Sequence, residues 1–292
     1  GVMQIVEHPA LDAARQGFID ALAEKGYVAG KNVTYDLQNA QGDMSIAQTI
    51  ARKFVDDKVD LILAIATPTA QAAANATRSI PILITAVTDP VAAGLVKSLE
   101  KPGTNVTGTS DMNPVKEQLA LVKEVAPQAR RVGIVYNAGE TNSVVQVEMA
   151  RKAARELGLT VVEVTVTGSS GVYQAAQSLV GRVDAFYVPT DNTVVSALES
   201  VLKVAETHKL PVIAGESESV KRGALATFGI DYYRLGRQTG EMAIQVLQGK
   251  DPAQMPIQFQ KDLELTVNLK AAAAMGVKIP EAMLKRAAQV IK

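Results

Sequence analysis

Hydrophobic and polar positions follow two patterns along the chain, one typical of strands and one typical of helices. Short runs rich in β-branched residues, the first at positions 2–6, have the length and composition of buried strands. Between them, apolar residues recur at three- and four-residue spacing, as Leu11, Ala14 and Phe18 do in a predicted helix that Gly26 ends. Further strands are predicted over 32–37, 60–65, 80–85, 131–136, 160–166, 185–188, 210–214 and 224–228. Further helices are predicted over 46–55, 68–76, 117–125, 143–157, 172–179 and 194–208.

The spacing of these elements predicts an α/β fold with two lobes, each a doubly wound parallel sheet. Each strand–helix–strand unit has about the length that a right-handed parallel crossover requires, and the rhythm restarts after residue 113. The tail departs from it, with one long helix over 232–247, extended pieces at 257–260 and 263–267, and a final helix over 280–291.

The extra elements of the tail indicate that the chain returns to the first lobe after finishing the second. We predict lobe 1 from residues 1–109 plus 231–259, and lobe 2 from residues 110–230 plus 260–292. Interlobe strands near 107–111, 229–232 and 258–266 would then form a multi-strand hinge with a defined axis.

Composition narrows the possible function. Lys and Arg number 30, as do Asp and Glu, and this balance argues against nucleic-acid partners and polybasic lipid attachment. The absence of cysteine excludes a thiol nucleophile and a disulfide, and two histidines cannot build a His-rich metal site. Nucleotide-binding, hydrolase and metalloprotease motifs are missing as well, so we predict no catalytic residue, no metal and no cofactor.

Polar residues at the predicted strand ends of the first half suit an anion. Ligands bind at the carboxyl ends of parallel strands, and here Thr67 and Thr69 flank the first turn of a helix. The unpaired N–H groups and the positive dipole end of that helix favour a carboxylate. Thr88 ends the next strand and His8 ends the first, and both are further candidate contacts. Ordinary capping by the threonines is the competing interpretation.

The strand-end loops of the second half, at 137–143, 189–193 and 215–219, are acidic and rich in amides. Asp191 and Glu216 are candidates to pair with a ligand ammonium. Alternatively, Asp191 or its two successors cap the following helix and Ser217 caps another. A zwitterion held at both ends would stabilise a closed form of the two lobes.

Several stretches of the chain carry a family resemblance. The segments are IVEHPALDAARQGFIDALAEKGYVAGKNVTYDLQNAQGD, ATPTAQAA, ITAVTDPVAAGLV, GTSD, FGIDYYRLGRQTGEMA and the tail VNLKAAAAMGVKIPEAML. They resemble the ABC-transporter substrate-binding proteins of the TrpX-like family. The resemblance implies a type I periplasmic-binding-protein fold, a periplasmic protein or cell-surface lipoprotein, and delivery to a membrane permease with its ATPase. It also implies an aromatic or other hydrophobic amino acid as ligand, and a monomer is expected of a delivery protein.

The resemblance also places ligand contacts by position. It implies carboxylate contacts at Thr67, Thr69, Ala86 and Thr88. It implies ammonium contacts at Asp191 and Glu216, with Asn142 and Asp231 as neighbours. Stacking on an aromatic ligand would fall to Tyr136, Tyr187, Phe228 or Tyr232.

Three other functions compete with the importer component. The same fold forms the effector-binding core of LacI-like transcriptional regulators, which needs an N-terminal helix-turn-helix and usually a basic face. A small hydrolase or epimerase is a second alternative. A carrier for a sugar or nucleobase is the third, weakened by the absence of tryptophan.

Overall fold

A computed structural model describes residues 1–292 as two compact units. Unit 1 comprises Gly1–Met112 and Tyr232–Lys261, and unit 2 comprises Asn113–Asp231 and Asp262–Lys292. The chain therefore changes unit three times, at 112/113, 231/232 and 261/262. The sequence predicts these changes at 109/110, 230/231 and 259/260, one to three residues earlier.

The first segment of unit 1 alternates strands and helices. Its strands are β1 (Val2–Gln4), β2 (Leu37–Asn39), β3 (Ile62–Ile65), β4 (Ile82–Val87) and β5 (Val106–Ser110). Its helices are α1 (Pro9–Glu24), α2 (Met44–Asp56) and α3 (Thr67–Ala76).

The first segment of unit 2 repeats this alternation. Its strands are β6 (Arg131–Tyr136), β7 (Thr160–Thr165), β8 (Ala185–Val188), β9 (Val212–Ala214) and β10 (Ala226–Gly229). Its helices are α4 (Val115–Val125), α5 (Thr141–Glu156), α6 (Val172–Ser178), α7 (Asn192–Ser196), α8 (Leu198–His208) and α9 (Ser217–Arg222).

The rest of the chain completes both units. Unit 1 gains α10 (Tyr232–Leu247) and β11 (Gln258–Phe259). Unit 2 gains β12 (Glu264–Asn268), α11 (Leu269–Met275), α12 (Glu281–Arg286) and β13 (Gln289–Ile291). Short 3₁₀ turns occupy Ser169–Gly171 and Pro252–Gln254.

Each unit is built on one sheet. The unit 1 sheet has the order β11-β5-β4-β3-β1-β2, with every pair parallel. The unit 2 sheet has the order β13-β12-β10-β9-β8-β6-β7, and only its β10–β12 pair is antiparallel. Strands β3 and β4 of unit 1 are buried at every position, as expected for parallel strands covered on both faces. The predicted pair of doubly wound parallel sheets is confirmed.

Glycine lets helices α1 and α10 of unit 1 approach closely. A Cβ atom added to Gly236 would lie 1.9 Å from the backbone oxygen of Ala14, and one added to Gly17 would lie 2.1 Å from that of Tyr233. Real Cβ atoms do not approach other atoms so closely, so the packing of the returning helix depends on the missing side chains. The long helix predicted over 232–247 is confirmed.

Three predicted elements differ from the structure. The strand expected over 32–37 begins only at Leu37, because its pairing partner is the three-residue β1. The single helix expected over 194–208 is broken at Ala197, whose φ of −115° separates α7 from α8. The final helix ends at Arg286, because residues 289–291 pair with β12 instead. No helix combines the length and the apolar character that crossing a bilayer requires.

Candidate functional site

The strand order reverses once in each sheet, and these two points are where ligands bind in doubly wound folds. In unit 1, β1 lies between β2 and β3, so the loops after β1 and β3 diverge there. In unit 2, β6 lies between β7 and β8, so the loops after β6 and β8 diverge. Five predicted site residues follow these strands, namely His8, Thr67, Thr69, Asn142 and Asp191. The other four lie at the carboxyl ends of β4, β9 and β10, namely Ala86, Thr88, Glu216 and Asp231.

Two alanines in unit 1 have backbone angles that alanine rarely adopts. Ala66 precedes α3 with a φ of 84°, and Ala86 near the end of β4 has a φ of 56°. The register of β4 against β5 shifts between Ile84 and Val87, on either side of Ala86. Strained residues cost about 1–3 kcal/mol each and collect at functional sites. Their occurrence on neighbouring strands marks this edge of the sheet as a candidate ligand site.

The hydroxyl of Thr67 lies at the N-terminus of α3, is buried, and has no hydrogen-bond partner. Helix α3 begins without a side-chain cap, and proline stands in its first turn. An unsatisfied buried polar group costs about 1–3 kcal/mol, so a binding role would explain its retention. A donor at the positive end of a helix suits a carboxylate.

The other two threonines are already engaged within unit 1. Thr69 Oγ1 donates to the backbone oxygens of Ile65 and Ala66, at 2.7 and 2.9 Å. Thr88 Oγ1 donates to Asp111 Oδ1 at 3.0 Å. Both side chains are buried and hold the shape of the strand ends, so their contact with a ligand stays a prediction.

Asp111 is a buried carboxyl that sequence reasoning did not single out. Burial raises the pKa of Asp111, and hydrogen bonds from Tyr232 and Thr88 act in the opposite direction. Tyr232 Oη donates directly to Asp111 Oδ2. Its position in the sequence could have identified it, because Asp111 directly follows β5 and the predicted contacts also lie at strand ends.

His8 and Ala86 complete the predicted contacts of unit 1. His8 is buried at the N-terminus of α1 in an extended conformation, and its side chain does not cap the helix. Ala86 is buried too, and its methyl group offers no polar contact. Their roles at a ligand stay predictions.

In unit 2, the carboxylate of Glu140 ties the loop after β6 to the loop after β8. Its Oε2 accepts hydrogen bonds from Asn192 N at 3.1 Å, Asn192 Nδ2 at 2.6 Å and Asn142 Nδ2 at 3.2 Å. Its Oε1 accepts from Thr193 N at 3.1 Å and Thr193 Oγ1 at 2.8 Å. The two loops are about fifty residues apart in sequence, which is why sequence reasoning did not select Glu140.

Asp191 lies beside this network and is fully buried. Its Oδ1 accepts from Val194 N at 2.7 Å and caps α7, while Oδ2 accepts from Asn137 N at 2.6 Å and Ser143 Oγ at 2.7 Å. Burial, reinforced by the charge of Glu140, raises the pKa of Asp191 to about 7. The capping interpretation describes the bonds that the carboxylate makes, and its predicted contact with an ammonium stays untested.

Glu216 behaves in the same way at the end of β9. It is buried and accepts from the backbone N–H groups of Glu218, at 2.5 Å, and Ser219, at 2.8 Å. Glu216 therefore caps α9. The sequence predicts a helix here with Ser217 as its cap. Burial raises the pKa of Glu216, and bonds from Ser219 oppose that rise.

Asn142 presents an acceptor with nothing bonded to it. Its Nδ2 donates to Thr190 O at 2.9 Å and to Glu140, while Oδ1 is buried without a partner. Asp231, the last residue before the chain re-enters unit 1, is partly buried.

The aromatic candidates differ in their surroundings. Tyr187 is buried in the unit 2 core with its hydroxyl donating to Gln118 Oε1 at 2.7 Å, and Tyr136 Oη donates to Glu163 at 3.3 Å. Phe228 is partly buried against the unit 2 core, and Tyr232 belongs to unit 1. No group of three or more His, Cys, Asp or Glu side chains is arranged to hold a metal ion.

Comparison with known proteins identifies what the chain is similar to. A family model described as ABC transporter substrate binding protein matches residues 1–291. The chain is 52% identical over 277 residues to a tyrosine-binding protein of Clostridioides difficile (strain R20291). The matched region covers 95% of this chain and 80% of that protein.

Solved structures give the same picture. The ABC domain in complex with L-Trp from Streptococcus pneumonia is 40% identical, with a TM-score of 0.96 over 100% of this chain and 98% of that one. A conserved domain protein from Vibrio cholerae O1 biovar El Tor is 47% identical, with a TM-score of 0.97 over 99% and 98%.

Proposed function

Since the chain belongs to the family of ABC transporter substrate-binding proteins and has the fold of type I periplasmic binding proteins, we propose that it captures an aromatic amino acid, tyrosine or tryptophan, for import. The family predicted from the sequence stretches is confirmed. Proteins of this family act outside the cytoplasm. A regulator core and a carrier for sugars or nucleobases are not favoured.

The ligand class rests on the agreement of two relatives. The relative from Clostridioides difficile is named for tyrosine, and the one from Streptococcus pneumonia holds L-Trp. Both match nearly the whole of this chain, at 52% and 40% identity. Tyrosine and tryptophan share an α-carboxylate, an α-ammonium and a large planar side chain, so we propose a ligand with these three features.

We propose that unit 1 supplies the contacts to the ligand carboxylate. The unpartnered hydroxyl of Thr67 and the first turn of α3 support this assignment, because both favour negative charge. Thr69, Ala86 and Thr88 would shape the surrounding strand ends, and His8 would be a neighbour.

We propose that unit 2 supplies the contacts to the ligand ammonium. The uncompensated acceptor of Asn142 supports this, and Asp231 would be a further neighbour. Asp191 and Glu216 would act on the ammonium through their charge, without direct contact, because their oxygens already accept hydrogen bonds within unit 2. Those of Glu216 bond the N-terminus of α9, and those of Asp191 bond Val194 N, Asn137 N and Ser143 Oγ.

The proposal includes the route of the ligand. The protein would work as a monomer, periplasmic or lipid-anchored, that passes the amino acid unchanged to a membrane permease driven by its ATPase. It would carry out no covalent chemistry. Mass spectrometry of L-tyrosine recovered after prolonged incubation with the protein tests this, and the compound should be intact.

Calorimetry and thermal unfolding test the ligand class. We expect L-tyrosine and L-tryptophan to bind and to raise the melting temperature, whereas glucose, ribose and uridine do not. A ligand at about a hundredfold over its Kd adds roughly 2.7 kcal/mol to the free energy of unfolding. D-tyrosine is the matched control for contacts to both α-substituents. No response to any of the twenty amino acids would exclude the proposal.

A further inference from the structure

The side-chain amide of Asn142 has one possible orientation in unit 2. Its NH₂ group faces the backbone oxygen of Thr190 at 2.9 Å and the carboxylate of Glu140 at 3.2 Å. Both neighbours accept hydrogen bonds and cannot donate, so the amide cannot be turned round without two repulsive contacts. The orientation forces Oδ1 to point away from both.

Asn142 Oδ1 is buried and has no hydrogen-bond partner within the protein. Its neighbours in the network do not share this condition. The oxygens of Glu140 accept five hydrogen bonds between them, and those of Asp191 accept three. A buried acceptor left over among satisfied groups needs a donor from elsewhere.

The charges around Asn142 indicate the kind of donor. Glu140 accepts a hydrogen bond from the amide of Asn142. Asp191 is connected to the same amide through Ser143, whose hydroxyl accepts from Asn142 Nδ2 at 3.4 Å and donates to Asp191 Oδ2 at 2.7 Å. No lysine or arginine takes part in the hydrogen bonds of Asn142, Glu140 and Asp191. Buried carboxylates without a paired cation favour a positively charged donor over a neutral one.

We propose that Asn142 Oδ1 is the acceptor for the α-ammonium of the ligand and that Glu140 is the positioning residue that holds it in place. This inference rests on the proposed function and specifies its ammonium end. Glu140 need not touch the ligand: it fixes the amide of Asn142 and joins it to the N-terminus of α7. Selection for a free amine follows from this arrangement.

A ligand lacking the amine separates this role from general loss of binding. The wild-type protein is first titrated with L-tyrosine and with 3-(4-hydroxyphenyl)propanoate, which differs only in the missing amine. We expect the amine-free compound to bind at least tenfold more weakly. In Asn142→Ala, the difference should shrink to less than threefold, because L-tyrosine loses its acceptor and the analogue loses nothing.

Two substitutions of Glu140 test positioning. Glu140→Ala frees the amide of Asn142 to rotate, and the tenfold preference for L-tyrosine should fall to less than threefold. Glu140→Gln keeps an acceptor for Asn142 and removes the charge, and it should retain more of the preference than Glu140→Ala does. If Glu140→Gln behaves like Glu140→Ala, charge and not orientation is responsible, and the positioning role is wrong.

Asn268 provides a matched control in the same unit. It is a buried asparagine whose amide nitrogen and oxygen are both hydrogen-bonded, donating to Val220 O at 2.8 Å and accepting from Ala271 N at 2.9 Å. Asn268→Ala should lower stability and leave the preference for the amine unchanged. If Asn142→Ala fails to fold by circular dichroism, Asn142→Leu, which keeps the approximate volume of the side chain and removes the acceptor, replaces it.

The outcomes distinguish the two proposals. If the wild-type protein binds no aromatic amino acid, the proposed function fails. If it binds L-tyrosine, and Asn142→Ala leaves the gap between the two compounds unchanged, the ammonium contact is wrong and the proposed function stands.

Discussion

Tyr232 Oη donates a hydrogen bond to the buried carboxylate of Asp111, and the two residues flank two of the three points at which the chain changes unit. Asp111 precedes Met112, the last residue of the first segment of unit 1, and Tyr232 is the first residue of the second. The bond therefore joins two segments of unit 1 that are 121 positions apart in sequence. It fixes where the chain leaves unit 1 and where it returns.

Removing this bond should destabilise the protein. In Tyr232→Phe the carboxylate of Asp111 keeps only the bond from Thr88 among its side-chain donors, and we expect the free energy of unfolding to fall by about 1–3 kcal/mol. Urea denaturation measures the loss. Tyr173→Phe, at an exposed tyrosine of unit 2, should change stability by less than about 0.5 kcal/mol.

The loss in Tyr232→Phe should grow as the pH rises. Burial holds the pKa of Asp111 above its usual value, so its contribution to stability falls as the pH rises through the folded pKa. The tyrosine hydroxyl bonds the ionised carboxylate more strongly than the neutral acid, so its removal raises that pKa further. A loss of equal size at acid and alkaline pH would contradict this account.

Asp191 should give a separate pH dependence. Its pKa is about 7 in the folded protein, raised mainly by burial and also by Glu140, against 3.8 for an ordinary aspartate. Between these values the folded state retains a proton that the unfolded state has released, so stability falls as the pH rises from about 4 to 7. Asp191→Asn should flatten this part of the profile, which for a pKa raised from 3.8 to about 7 amounts to roughly 4 kcal/mol. The free energy of unfolding of the wild-type protein and of Asp191→Asn is measured by urea denaturation at pH 4.5–8. Parallel pH profiles for the two proteins would show that Asp191 is ionised throughout.

Gly236 should tolerate no side chain. The Cβ of alanine at this position would lie 1.9 Å from the backbone oxygen of Ala14, so α1 and α10 would have to separate. We expect Gly236→Ala to destabilise the protein by about 3 kcal/mol or more. Gly168 has an extended backbone and open space around it, and Gly168→Ala should change stability by less than about 1 kcal/mol. Similar melting temperatures for the two variants would mean that the helices can repack.

Thr67→Val should separate binding from stability. The hydroxyl of Thr67 is buried without a partner, so an isosteric methyl group should leave the stability of the ligand-free protein unchanged or increase it. The same change removes the proposed donor to the ligand carboxylate, and affinity for L-tyrosine should fall about tenfold, equivalent to about 1.4 kcal/mol. Calorimetry and thermal unfolding give the two readouts.

Thr49→Val is the control for Thr67→Val, because Thr49 lies on the exposed face of α2 and its hydroxyl bonds only the backbone of Ser45, at 3.0 Å. It should leave affinity for L-tyrosine unaltered. Unchanged affinity in Thr67→Val as well would remove Thr67 from the carboxylate site.

Much of the fold could be predicted from the sequence because it depends on local patterns. The apolar run at 62–65 and the apolar spacing of 232–247 each determine their own element. The errors lie where a partner decides the outcome. Residues 289–291 are apolar enough to continue a helix, yet they pair with β12. Residues 32–36 alternate like a strand, yet they form only an isolated bridge between Val33 and Ala29 and accept one bond from Val2 N at Asp36 O.

The candidate site follows the same division. Its loops could be located because parallel strands place their carboxyl ends at one edge, and the threonines and carboxylates in those loops are visible in the sequence. The direction in which a side chain turns is not visible there. The carboxylates of Asp191 and Glu216 turn to cap helices, while Glu140, an unselected residue of the same loops, collects five donors from the loops after β6 and β8.

The sequence by itself therefore determined two doubly wound sheets, the family and the loops that can meet a ligand, since periodicity, crossover length and residue chemistry are properties of neighbouring positions. Only the tertiary structure decided which polar groups satisfy one another and which remain open. Hydrogen bonds depend on distance and direction between residues such as Glu140 and Asn192, which the fold brings together from 52 positions apart. The open oxygen of Asn142 and the open hydroxyl of Thr67 are what remains after those bonds are made.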